Sequence, residues 1–197
     1  MGFFSKLFGQ QTTDKPKSKP ESVQPLPVKT TKLDLEYYKG VIDTIVTSEG
    51  LKDDLNIKLK QAFENPKSFY NETNDFILSE RGLTYPQNVA VTSKFVLVDT
   101  LIANDHMTEV DWKSSETEVR AAINHVLTGK NYSLSIPISN IFNKNDTFET
   151  IQAIDAEELR PAQYSLQILD IDSDSYVFTI VPLDKEQEVI EMFEKLR

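Results

Sequence analysis

From Leu33 onward, apolar residues recur along the chain with two distinct periods. Leu35, Tyr38, Ile42, Ile45 and Val46 fall three and four apart, the spacing of one helical face, and predict a helix over 34–47. Gly40 is a weak point within it. Leu55, Leu59 and Phe63 predict a second helix over 51–64, broken at Asn65-Pro66 because a residue before proline avoids helical backbone angles. Phe69, Tyr70, Phe76 and Ile77 predict a third over 67–81, stopped by Gly82. The most apolar run, 94–103, is rich in β-branched residues and fits either a strand or a buried helix. The helix is the preferred reading, with Thr92 or Ser93 as its cap.

A short strand is expected at 108–112. The helix at 116–128 is the most clearly marked. Ser115 and Glu118 form a capping box, Val119, Ala122, Ile123, Val126 and Leu127 form one face, and Gly129 ends it. Residues 132–138 alternate, but Pro137 restricts them to a sheet edge. A helix over 147–160 ends at Pro161. Strands over 163–170 and 175–182 flank a short acidic turn. Asp184 and Gln187 cap a last helix whose apolar face is Val189, Ile190, Phe193 and Leu196.

Helices come first and mixed elements later, without strict strand–helix alternation. The fold class this predicts is α+β: a small, largely antiparallel sheet covered by helices and preceded by an N-terminal helical region. One domain spans 33–197, helical over 33–82 and mixed over 83–197. Upstream, 10–32 contain four Pro and no aromatic residue, and read as a disordered linker. Residues 1–9 form a short amphipathic segment. Phe3, Phe4, Leu7 and Phe8 share a helical face and Lys6 lies off it, which suits weak peripheral contact with a membrane or a partner groove.

Charge refines this picture. Residues 1–32 carry six Lys against Asp14 and Glu21, a net of +4, so a chain total of −10 leaves −14 for the rest. An acidic body repels phosphates, so nucleic acid is not an expected partner, whereas a protein partner with a basic surface is. The absence of Cys removes disulfides, thiolate zinc sites and thiol nucleophiles. No signal peptide or apolar run of spanning length is apparent, so the expected location is cytoplasmic. No cofactor and no metal site is expected.

Two segments carry candidate chemistry. In the acidic turn, Asp170, Asp172 and Asp174 stand at alternate positions, like the opening of a calcium loop. The match fails at Ser175, where glycine is needed, and at Val181, where glutamate is needed. The turn reads either as a weak cation site or as a polar hairpin whose side chains bond their own backbone. In the second segment, Asp111, Trp112 and Lys113 suggest a ligand-binding corner, set against a plain packing role for the only Trp. His106 is expected at a helix end, where the macrodipole favours its protonated form, and His125 on an exposed helix face.

The VDWK at 110–113 before a capped helix, together with DIDSDSYVFTIVP at 170–182, resembles an uncharacterised bacterial domain family of unknown function. The resemblance covers about 90 residues of the C-terminal half. It implies fold class rather than activity, with Asp111, Trp112, Lys113, Asp172, Asp174 and Tyr176 at the matching positions. Nucleophile-elbow, phosphate-loop and dinucleotide signatures are missing, and whether the chain catalyses anything stays open. Two function readings follow. One is a non-enzymatic acidic protein-binding or regulatory module. The other is a carboxylate-based or metal-assisted enzyme centred on Asp111, Asp170, Asp172 and Asp174. Carboxylates that meet in one concave pocket favour the second; carboxylates scattered on convex surface favour the first.

Overall fold

The computed structural model of the chain describes residues 34–70 and 78–196. The expectations for 1–9, with Phe3, Phe4, Leu7 and Phe8, and for 10–32 lie outside the described residues. So does the middle of the expected third helix.

Among the described residues the sheet has three antiparallel strands in the order β1-β3-β2, with β1 at Thr108–Asp111, β2 at Tyr164–Leu169 and β3 at Ser175–Pro182. The register pairs Val110 with Tyr176 and Leu166 with Ile180. Side chains alternate across a strand, so β3 serves two cores. Val177 and Val181 enter a core shared with α1 (Leu35–Ile45), α2 (Glu49–Glu64), α3 (Val89–Ala103) and α6 (Glu186–Leu196). Phe178 and Ile180 enter a second core with α4 (Glu116–Gly129) and α5 (Thr147–Ile154). This double burial explains why β3 reads as a nearly continuous apolar run. The α+β class stands as the hydrophobic pattern predicts.

Several boundaries differ from expectation. The run at 94–103 is helical, but α3 begins a turn earlier, because Asn88 accepts from the Ala90 N–H at 3.0 Å and caps it. Thr92 and Ser93 are buried inside the helix. The described ends of the expected third helix are 3-10 turns, Pro66–Tyr70 and Leu78–Arg81, rather than α-helix. Ser68 bonds back to the Asn65 carbonyl through both its N–H and its hydroxyl, which tightens the first of these turns.

Residues 132–138 form no strand. The side chain of Asn124 takes the place of a neighbouring strand, donating to Ile136 O at 2.8 Å and accepting from Ile136 N at 2.9 Å. The helix at 147 stays α-helical only to Ile154, then widens into a π turn at Asp155–Leu159 and closes in a 3-10 turn. Asp155 is drawn away there, accepting from Leu166 N and from Arg160 Nε, both at 2.8 Å. The last helix is entered through the 3-10 turn Leu183–Lys185, and Gln187 donates forward to Glu191 instead of capping the helix.

A buried ionic knot ties α4 to the loop after it. Glu116 accepts from the backbone N–H groups of Ile141, Phe142 and Asn143 and from Arg120 Nε. Arg120 in turn pairs with both oxygens of Glu158. Burial opposes ionisation of Glu116, but the three N–H donors and Arg120 outweigh it and hold its pKa down to about 2. Lys130 is buried and donates to Ile180 O at 2.7 Å, and burial lowers its pKa to about 7. His106 does stand just past the end of α3, but it is buried. Desolvation pushes its pKa down and Lys130 adds to this, so the helix-end argument for a protonated ring fails. His125 is exposed as expected.

A candidate acidic cleft

A cleft of about 820 Å³ lies between the Leu78–Arg81 turn, the first half of α3, β1 and the acidic turn. Its floor is apolar, formed by Leu83, Val91, Phe95 and Ile171. Among the described residues, five carboxylates line it (Glu80, Glu109, Asp111, Asp172 and Asp174) against two cations, Arg81 and Lys94.

The strand and turn geometry sets these positions. Glu109 and Asp111 alternate along β1 and face the cleft, while Val110 between them points into the second core. Opposite them, the backbone of Asp172 is left-handed, with φ 59°, and its N–H bonds Asp170 Oδ1 at 2.9 Å. Ser175 N bonds Ser173 Oγ at 3.1 Å. The turn is thus the self-bonded polar hairpin, not an extended strand with three aspartates on one face. Among the described residues no three His, Asp or Glu side chains stand so as to hold a metal ion.

Arg81 is already held. It donates to Asp99 through Nε at 2.6 Å and to Glu109 through Nη2 at 3.0 Å, and Ser175 Oγ also donates to Glu109. Burial raises the pKa of Asp99, and Arg81 only partly offsets it. Lys94 differs. Its Nζ lies 5.4 Å from the centroid of the Phe95 ring, and it makes no hydrogen bond or ion pair among the described residues. Burial lowers its pKa despite the opposing fields of Asp170 and Asp172.

The structure therefore brings Asp111, Asp172 and Asp174 into one cleft and leaves Trp112, Lys113 and Tyr176 outside it. Trp112 is 45% exposed, which overturns its core-packing role. Strand β1 stops at Asp111, and a turn in which Lys113 N bonds Asp111 Oδ1 carries Trp112 off the sheet. Its ring is covered by Lys113 Nζ, 4.3 Å from the centroid. Tyr176 packs on the second core and stacks against Phe148 at 5.8 Å. Sequence reasoning missed Arg81 and Lys94 as cleft residues. A signal for Lys94 was present: it and Asp99 are the only charges in the otherwise uncharged run 89–103.

Fold and cleft define an α+β protein with an acidic cleft in which Lys94 is unpaired among the described residues. The chain belongs to the family described as Domain of unknown function (DUF6630), which it matches over residues 46–197. The match includes the whole cleft and extends well upstream of the C-terminal motifs that carry the resemblance. No curated protein and no solved structure matches the chain. No helix among the described residues is long and apolar enough to cross a membrane.

Proposed function

We propose that this chain is a non-enzymatic acidic module that binds or regulates a protein partner by holding basic side chains in the cleft. One observation carries the reading: five carboxylates meet around an apolar floor, while one of the two cations there is already taken by Asp99 and Glu109. An apolar floor with a charged rim suits Lys and Arg side chains, whose stems are apolar and whose ends are cationic. The direct test is fluorescence anisotropy with a labelled, amidated Arg/Lys peptide. Binding should weaken steeply with salt. Replacing Asp111, Asp172 and Asp174 together by Asn should weaken it about tenfold, three exposed pairs at roughly 0.5 kcal/mol each. Salt-independent binding, or binding unchanged in the triple variant, overturns the reading.

The second reading, a carboxylate-based or metal-assisted enzyme, gains from the concavity itself, since Asp111, Asp172 and Asp174 share one hollow. It ranks second because Asp170 is not among the described residues that line the hollow, and no three acidic or histidine side chains among the described residues stand so as to hold a metal ion. It calls for a cation effect on stability. Calcium or magnesium at 100 times its Kd would add about 2.7 kcal/mol. A melting shift of that kind, lost in Asp172→Asn, replaces the first reading with the second.

A further inference from the structure

We infer that the cleft has two poles and takes the C-terminal end of a basic peptide, with Lys94 receiving the terminal carboxylate and Asp111, Asp172 and Asp174 the basic side chains. This rests on the acidic-cleft reading above and adds to it the chemistry of the ligand's anionic end.

Lys94 stands in a cleft lined by five carboxylates, yet none closes to form an ion pair with it. Glu109 is occupied by Arg81 and Ser175, Asp111 accepts from the N–H of Lys113, and Asp170 accepts from the N–H of Asp172. The turn is braced by its own backbone bonds, so its carboxylates are not drawn towards the ammonium. A half-buried ammonium has lost part of its hydration, and no acceptor among the described residues replaces it. A ligand that brings an acceptor recovers that loss. Of the two cations among the described lining residues, Arg81 is paired with Asp99 and Glu109, and Lys94 is the one that makes no ion pair among the described residues.

A purely cationic ligand would use the rim and be repelled by Lys94. A purely anionic one would face the five carboxylates. Only a ligand with both charges satisfies both poles, and the terminal carboxylate is the anion that a basic peptide with an unmodified C-terminus carries. The apolar floor beside Lys94 then covers the stem of the last basic side chain.

The test compares two fluorescein-labelled peptides of one Arg/Lys sequence, one ending in a free acid and one amidated, on the full chain. Wild type should bind the free acid about tenfold more tightly, the scale of one charge-assisted hydrogen bond. Lys94→Met should bind the two peptides alike, and Lys94→Arg should keep the preference. Wild type binding the amide as tightly as the acid overturns the inference and leaves the acidic-cleft reading standing. So does a preference retained in Lys94→Met. If neither peptide binds at low salt, the acidic-cleft reading fails and the inference with it.

Discussion

Single side chains here report their surroundings more sharply than the sequence suggests. Trp112 is half in solvent, so its native emission should lie well to the red of a buried indole. Trp112→Ala should cost about 1 kcal/mol, not the roughly 3–5 kcal/mol of a core deletion. A blue-shifted spectrum with a large loss in Tm goes against the exposed placement. Lys130 makes a prediction about pH. Its folded pKa of about 7 lies below the ordinary lysine value, so above pH 7 the unfolded chain binds a proton that the folded chain does not. Stability should therefore rise from pH 7 to pH 9, with a slope approaching about 1.4 kcal/mol per unit. In Lys130→Met the rise should flatten, as followed by urea unfolding at each pH. Gly129 is fixed by close approach. A Cβ there would sit 2.4 Å from Asp105 O, on a residue whose own backbone is left-handed at φ 56°. Gly129→Ala should lose about 1–3 kcal/mol despite its better helix propensity.

Among the elements, those with a clean period and a local cap were legible in advance, and those completed by distant side chains were not. Helix α4 follows its pattern because Ser115 and Glu118 cap it within its own first turn. The 132–138 segment has the alternation of a strand, but its backbone is satisfied by Asn124, a residue of α4 that no local rule points to. The break at Ile154 likewise depends on Asp155 reaching Leu166 on β2. The Glu116 knot is the strongest such tie. Breaking it with Glu116→Gln should cost about 3–5 kcal/mol by leaving Arg120 short of a buried partner. Because the Glu116 pKa is depressed, its stabilisation is complete above the ordinary carboxylate range and is lost as pH falls towards 2. Acid unfolding of Glu116→Gln should therefore be shallower over that range than that of wild type.

For the molecule as a whole, the acidic balance and the α+β class were readable from composition and periodicity. The cleft was readable only in part. Asp111, Asp172 and Asp174 attract attention as carboxylates in two short motifs, but Arg81 reaches the same hollow from the Leu78–Arg81 turn and Lys94 from α3, through tertiary packing that sequence spacing does not encode. Electrostatics at this scale also yields a prediction for the first nine residues. If Phe3, Phe4, Leu7 and Phe8 anchor the chain to a membrane, the full chain should pellet with anionic vesicles more than a chain starting at Gln10. Equal pelleting removes the membrane contact.

The sheet has a further consequence, for self-association. Strand β1 covers β3 only as far as Phe178, so the Ile180 carbonyl would be an open hydrogen-bonding edge were it not taken by Lys130. On the other side, the outward N–H of Leu166 is taken by Asp155. At these two points a backbone group left open by the strand pairing is thus taken by an ionisable side chain, where another copy of the chain could add a strand. Both side chains come from outside the sheet, so a refolding chain that has paired its strands before these residues arrive is briefly a template for fibres. Lys130→Met with Asp155→Ala should scatter more light on refolding at high concentration than wild type, even where the folded yield of dilute samples is equal.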